Sequence, residues 1–106
     1  MLQNKVAVIT GASSGLGRAI ALRYAAEGAS LILADINEEG GQHTLSLLPE
    51  ASRAKAKFIK VDVTNEAEVE AAVALAVSSF GQLDIMVANA GIGAPGFIAS
   101  LSKEDF

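Results

Sequence analysis

An apolar run that passes through a glycine-rich turn into a helix is the feature that most constrains this chain. Residues 6–9 include three β-branched side chains and lack polar alternation, which predicts a central strand buried on both faces. The turn that follows contains three glycines, Gly11, Gly15 and Gly17. Glycines let the backbone bend sharply and let a ligand approach it closely. Because the first N–H groups of a helix lack internal partners and lie at its positive end, the turn predicts an anion site suited to a pyrophosphate.

Composition narrows the class of protein. The 106 residues allow one small domain, and 51% hydrophobic against 19% charged residues is typical of a globular α/β protein. The absence of Cys and the single His exclude disulfides and a zinc site. With a net charge of -4 and scattered Lys and Arg, nucleic acid is not an expected partner. No apolar run approaches the roughly 18 residues of a membrane span, and no signal-peptide core precedes the first strand, so we expect a cytoplasmic protein with no membrane partner.

Strands and helices alternate along the chain without a linker. Further strands are predicted at residues 30–35, 56–61 and 83–88. The strand at residues 56–61 partly alternates between apolar and polar side chains, so it is predicted to be an edge strand. The first helix is expected to end at Gly28, the second lies between the cap Asn37 and Pro49, and the third runs from Thr64 or Asn65 to Gly81. Residues 92–101 are interpreted as a loop, which leaves the fourth strand as an open edge.

This alternation predicts a parallel sheet, because crossover connections between such strands are right-handed in nearly all cases. We expect the strand order 3-2-1-4, with the first two helices on one face and the third helix on the other. The gap between strands 1 and 4 is then the switch point where ligands bind. The loops at Gly11 and Gly91 leave the carboxyl ends of these two strands and converge on one crevice.

Four motifs at successive strand ends resemble the short-chain dehydrogenase/reductase family. They are Thr10-Gly-x-x-x-Gly15-x-Gly17, Asp35, Asp62-Val63 and Asn89-Ala90-Gly91, in order over essentially the whole chain. The resemblance implies an α/β fold with a Rossmann-type doubly wound parallel sheet. It also implies an NAD(H)-dependent oxidoreductase that acts on a small-molecule alcohol or carbonyl and is a homo-oligomer when intact.

The resemblance assigns cofactor contacts residue by residue. They are Gly11, Ser13, Ser14, Gly15, Leu16, Gly17, Asp35, Ile36, Asp62, Val63, Asn89, Ala90 and Gly91. Asp35 would accept hydrogen bonds from the adenosine ribose, since it follows the glycine turn at close to the expected spacing of about 20 residues. Asp62 and Val63 resemble the pair that holds the adenine. Asn89, before which Ala88 replaces the family's usual first Asn, also fits a residue that bonds neighbouring backbone.

The residue types at the turn favour NAD over NADP. A 2'-phosphate about 4 Å from Asp35 would cost about 4 kcal/mol per pair of unit charges at an effective dielectric near 20, more than two orders of magnitude in affinity. Many members of the resembled family that use NADP carry a basic residue in the glycine turn, where this chain has Ser14.

The catalytic residues of the resembled enzymes, a Ser and a Tyr-x-x-x-Lys, are not in this sequence. The single tyrosine, Tyr24, is followed four positions later by Gly28, and it fits core packing better than catalysis. Residues 102–105 have the form of a capping box, and Phe106 would be the fourth residue of the helix that it starts. We therefore expect residues 1–106 to be the cofactor-binding half of a longer single-domain enzyme, inactive by itself.

Two other functions fit parts of the sequence. The first is a non-catalytic nucleotide-binding module. The second is a serine hydrolase, because Gly11-Ala12-Ser13-Ser14-Gly15 matches G-x-S-x-G and is followed by Asp35 and His43. The hydrolase is disfavoured because no loop precedes the first strand to form an oxyanion hole. His43 lies on the helix that leads away from Asp35, where a solvated surface histidine is the simpler interpretation.

Overall fold

The computed structural model of the chain describes residues 1–13 and 15–88 in full, and the backbone of residues 97–100. The elements in order are β1 (Val6–Thr10), α1 (Gly15–Ala26), β2 (Ser30–Asp35), α2 (Glu38–Leu47), α3 (Glu50–Arg53), β3 (Ala56–Lys60), α4 (Glu66–Phe80), β4 (Ile85–Ala88) and β5 (Phe97–Ser100). None of the helices in these ranges combines the length and the apolar character needed to cross a bilayer.

One five-stranded sheet of order β3-β2-β1-β4-β5 organises the chain. Strands β1 to β4 are parallel, which confirms the predicted order 3-2-1-4. The central strand β1 pairs with β2 on one side and β4 on the other, and all five of its residues are buried. Strand β3 lies at an edge, as its partial alternation predicted.

Two expectations for the C-terminal part are wrong. Residues 97–100, interpreted as a loop, form β5, which pairs antiparallel with β4 from Ile85↔Ser100 to Ala88↔Phe97. The outer edge of β4 is therefore paired rather than open. Antiparallel pairing needs no crossover helix, and β5 pairs with the backbone groups that β4 would otherwise expose as an edge strand. The predicted capping box at residues 102–105 lies outside the described residues.

The two faces of the sheet are covered as predicted. Helices α1 and α2 pack on one face through a cluster that includes Ala21 and Leu45, and α4 packs on the other through Ala72 and Ala76. Tyr24 is partly buried against the first cluster, which confirms its interpretation as a packing residue. Both faces of the parallel sheet are thus buried, which explains the continuous apolar runs of β1 and β2.

Local capping chemistry sets where the helices begin. Asn37 accepts a hydrogen bond from the Gly40 N–H at 3.0 Å, and Asn65, rather than Thr64, accepts one from the Glu68 N–H at 3.3 Å. Each such cap contributes about 1 kcal/mol. Pro49 directly follows Leu48, the C-cap of α2, which confirms that it marks the end of this helix, and it is also the N-cap of the short helix α3.

Candidate functional site

The carboxyl ends of the parallel strands lie along one edge of the sheet and are tied to each other. The Thr10 hydroxyl donates to the Val87 carbonyl at 3.1 Å, which joins the ends of β1 and β4. The Ala12 N–H donates to the Ala34 carbonyl at 3.2 Å, so the glycine turn is fixed to the end of β2. Asp35 in turn accepts a backbone hydrogen bond from Val61 at 3.0 Å. The predicted motifs after β1, β2 and β3 are therefore neighbours.

The glycine turn leaves space next to its backbone. Gly11 and Gly15 have φ values of 66° and 57°, a left-handed conformation that glycine adopts without strain. A Cβ on Gly15 would meet no atom of the described residues within 4 Å, so these residues leave the space beside it open. Helix α1 has no acidic residue in its first turn, and no side chain in the described ranges caps its start. Its first N–H groups are thus oriented to receive an anion.

The Asp35 carboxylate at the end of β2 is held by two backbone groups. Oδ2 accepts from the Ser13 N–H at 3.0 Å, and Oδ1 accepts from the Asn37 N–H at 2.9 Å. Because a carboxylate has about four acceptor positions, each oxygen can accept a further hydrogen bond. The carboxylate is therefore held in one orientation between the glycine turn and the start of α2, with capacity left for a pair of donors.

Ser13 has backbone contacts that its motif did not predict. It is 7% exposed, its N–H is taken by Asp35, and its carbonyl accepts from the Arg18 guanidinium. Its direct contact with a cofactor stays a prediction, whereas its contact with Asp35 is observed.

The hydrolase triad is not assembled. His43 is exposed on α2, and within residues 1–13 and 15–88 no hydrogen bond joins its ring to Ser13 or Asp35. Both Asp35 oxygens accept from backbone rather than from an imidazole. These three side chains therefore lack the linked hydrogen bonds that activate a serine nucleophile.

Asp62 follows β3 and is held locally by Thr64. Oδ1 accepts from the Thr64 hydroxyl at 2.6 Å and from the Thr64 N–H at 2.9 Å. These two bonds, the hydroxyl's first, hold the pKa of the Asp62 carboxyl below its ordinary value, against a smaller raising effect of burial. Oδ2 has no hydrogen-bond partner in the described part of the chain. It can accept from an external amine.

Three large apolar side chains stand exposed beside these groups. They are Leu16 at 59%, Ile36 at 58% and Val63 at 38% exposure. All three belong to the predicted contact set, and each follows a strand end. Exposed apolar side chains next to fixed polar groups are typical of a small-molecule site. Gly17, also in that set, is buried in the first turn of α1.

A cleft between α1 and α2 was not found from the sequence. An open cleft of about 400 Å³ is lined by Arg18, Asn37, Glu39, Gly40 and His43. An arginine in a helix carries no local signal that distinguishes a surface charge from a tertiary contact, so Arg18 could not be singled out.

Four predicted contacts, Ser14, Asn89, Ala90 and Gly91, lie outside the described residues. Within the described ranges no group of three His, Cys, Asp or Glu side chains could hold a metal ion.

The sheet order, the glycine turn after β1 and the acid after β2 define the class of dinucleotide-binding α/β proteins. A family model described as short chain dehydrogenase matches residues 5–106, so the chain belongs to the short-chain dehydrogenase/reductase family of oxidoreductases.

Known relatives agree with this assignment. Momilactone A synthase of Oryza sativa subsp. japonica is 45% identical over 107 residues, which cover 99% of this chain and 38% of that protein. The crystal structure of 3-ketoacyl-(acyl-carrier-protein) reductase from Brucella melitensis complexed with NADH matches with a TM-score of 0.78 and 41% identity, over 87% of this chain and 36% of that one. The crystal structure of a short chain dehydrogenase/reductase from Burkholderia phymatum in complex with NAD matches with a TM-score of 0.75 and 40% identity, over 80% of this chain and 30% of that one. The chain thus spans less than half the length of each.

Proposed function

We propose that this chain binds NAD(H) in preference to NADP(H), as the cofactor-binding part of an oxidoreductase that acts on an alcohol or carbonyl. The observation that carries the proposal is the Asp35 carboxylate, held at the carboxyl end of β2 by the Ser13 and Asn37 N–H groups. Its free acceptor positions suit the two hydroxyls of the adenosine ribose. A phosphate on the 2' position would meet a fixed negative charge.

The surrounding residues fit a dinucleotide in the same place. The space that the described residues leave open beside Gly15 and the absence of an acidic residue from the first turn of α1 suit the pyrophosphate. Oδ2 of Asp62, to which no described residue donates a hydrogen bond, and the exposed Val63 side chain suit the adenine amine and ring. Two structural neighbours, complexed with NADH and with NAD, support a nicotinamide cofactor.

The residues of this chain bind and orient the cofactor rather than move a proton. When bound, oxidised NAD would accept a hydride, and reduced NADH would donate one. The resembled family exchanges the proton through a Tyr-x-x-x-Lys, and the single tyrosine here packs in the core at Tyr24. We therefore propose that residues 1–106 form the dinucleotide half of a single-domain enzyme and carry no catalytic residue.

Calorimetric titration of the chain with NAD and with NADP tests the cofactor preference. We expect a Kd for NADP more than about 100-fold above that for NAD, because of charge repulsion at Asp35. The substitution Asp35→Asn keeps the shape of the side chain and removes its charge. It should raise the Kd for NAD about tenfold, through loss of a charge-assisted acceptor, and reduce the NADP to NAD ratio below about 10.

Glu38→Gln is the matched control, because it removes the same charge from an exposed residue in the first turn of α2. We expect its cofactor ratio to equal that of the unsubstituted chain. A chain that binds both cofactors equally, or an Asp35→Asn variant that keeps the full ratio, would contradict the proposed preference.

We also propose a small-molecule alcohol or carbonyl as substrate of the whole enzyme, with a cytoplasmic location and a homo-oligomeric state. The relative named momilactone A synthase supports a small molecule as the substrate class. The net charge of -4 disfavours nucleic acid as a partner.

A further inference from the structure

Arg18 lies in the first turn of α1, beside the glycine turn, yet its hydrogen bonds go to neutral groups. Its Nε donates to the Thr44 hydroxyl at 2.9 Å. Its Nη2 donates to the Ser13 carbonyl and, at 3.4 Å, to the Gly40 carbonyl. No carboxylate in the described ranges forms an ion pair with it. The guanidinium therefore links α1 to the turn and to α2.

Thr44 completes this link from the other side. Its side chain is fully buried. Its hydroxyl accepts a hydrogen bond from Arg18 Nε and donates one to the Ala12 carbonyl at 2.7 Å. A buried hydroxyl that lost its partners would cost free energy, so Thr44 and Arg18 hold each other in place. Together they fix the carbonyls of two successive turn residues, Ala12 and Ser13.

Gly40 lets α2 approach the turn closely enough for these bonds. A Cβ there would lie 2.7 Å from the Ser13 Cβ and 2.8 Å from the Asn37 Nδ2, distances that packed atoms do not adopt. Ser13 is therefore enclosed between α2 and the Arg18 guanidinium, which explains its low exposure.

The same serine connects Arg18 to the acid of the site. The Ser13 carbonyl accepts from Arg18, and the Ser13 N–H donates to Asp35 Oδ2. We propose that Arg18 and Thr44 are positioning residues that fix the Asp35 carboxylate toward the adenosine ribose, and thereby set the affinity for NAD and the discrimination against NADP. This inference rests on the proposed function and names two residues that the family motif does not contain.

The test substitutes Arg18→Met in the full chain and measures Kd for NAD and NADP by calorimetry. We expect the Kd for NAD to rise about tenfold, which is the size of effect expected for the loss of a hydrogen bond to a charged group. The ratio of the Kd for NADP to the Kd for NAD should fall. The matched control is Arg23→Met on the same helix, because Arg23 is exposed and pairs with Glu27. Its Kd should stay within about twofold of the unsubstituted chain, since an exposed pair contributes little.

Thr44 gives an independent arm. Thr44→Val keeps the shape of the side chain and removes the hydroxyl, so the Kd for NAD should rise by several-fold, whereas Thr44→Ser should restore most of the affinity. If Arg18→Met does not melt cooperatively, Thr44→Val carries the test. An unchanged Kd in that variant overturns the inference.

A double-mutant cycle separates positioning from simple stabilisation. If Arg18 acts through Asp35, Arg18→Met in the Asp35→Asn background should change the Kd for NAD by less than about twofold. If the fold-changes in the Kd for NAD caused by Arg18→Met and Asp35→Asn multiply in the double variant, Arg18 only joins the helices. A lower melting temperature with an unchanged Kd would show the same. Failure of the proposed function looks different, because the unsubstituted chain would then bind neither cofactor or would bind both equally.

Discussion

The two aspartates at neighbouring strand ends differ in how their carboxylates are held. Asp62 takes both of its hydrogen bonds from Thr64, two residues away, so its orientation is local and is contained in the sequence Asp-Val-Thr. Asp35 takes one of its two from Ser13, which is 22 positions earlier. The position of Asp35 at the end of β2 could be predicted from the sequence, but the partner that orients its carboxylate could not, because that contact exists only after the turn has packed on β2.

Substitution of Thr64 tests the local arrangement. Thr64→Val removes the hydroxyl, the larger cause of the lowered pKa, and leaves the N–H bond, so the pKa of Asp62 should rise toward its ordinary value. The lowered folded-state pKa contributes stability that is present above the unfolded-state pKa and is lost as pH falls through the folded-state pKa. Thr64→Val should therefore begin to unfold at a higher pH in an acid titration.

Carboxyl-carbon NMR titration of Asp62 measures this shift directly. Thr64→Ser is the control and should titrate like the unsubstituted chain, because it keeps the donor. Equal titration curves for Thr64→Val and Thr64→Ser would mean that the hydroxyl does not set the pKa.

At the scale of elements, the sequence predicted what local chemistry decides. Asn37 and Asn65 cap α2 and α4 through bonds to residues three positions on, and the apolar runs of β1 and β2 follow from burial on both faces. The short helix α3 and the strand β5 were missed. Elements of four residues have little intrinsic preference, so tertiary pairing decides them.

The contact between α2 and β3 gives a prediction at this scale. Gly41 is buried in α2, and a Cβ there would lie 2.0 Å from Cε1 of the Phe58 ring. Alanine is intrinsically better than glycine in a helix by about 1 kcal/mol. Overpacking of a filled core costs about 1–3 kcal/mol, so we expect Gly41→Ala to lower the free energy of unfolding overall.

Urea denaturation provides the measurement, with Gln42→Ala as the control. Gln42 is exposed on the same helix, and its substitution should change the free energy of unfolding by less than about 0.5 kcal/mol. A Gly41→Ala chain more stable than the unsubstituted one would show that helix propensity outweighs the contact with Phe58.

For the molecule as a whole, topology explains why the site could be predicted. In a parallel sheet every strand ends at the same edge, so motifs that follow β1, β2 and β3 must meet even though they are far apart in sequence. Topology does not specify side-chain contacts across that edge. Arg18, Thr44 and Gly40 join α1, the turn and α2 through such contacts, which no single segment encodes.

Ligand binding by the whole chain should appear in its stability, because a ligand that binds only the folded state raises the free energy of unfolding by RT ln(1 + [L]/Kd). NAD at 100 times its Kd should stabilise the chain by about 2.7 kcal/mol. NADP at the same concentration, with a Kd more than about 100-fold higher, should add less than about 0.4 kcal/mol. Urea denaturation with each cofactor measures both stabilisation energies. In a separate assay of catalysis, the absorbance of reduced nicotinamide should not rise when alcohols are added to the chain with NAD. Equal stabilisation by both cofactors would contradict selection by Asp35, and turnover would show that the chain contains catalytic residues outside the Tyr-x-x-x-Lys pattern.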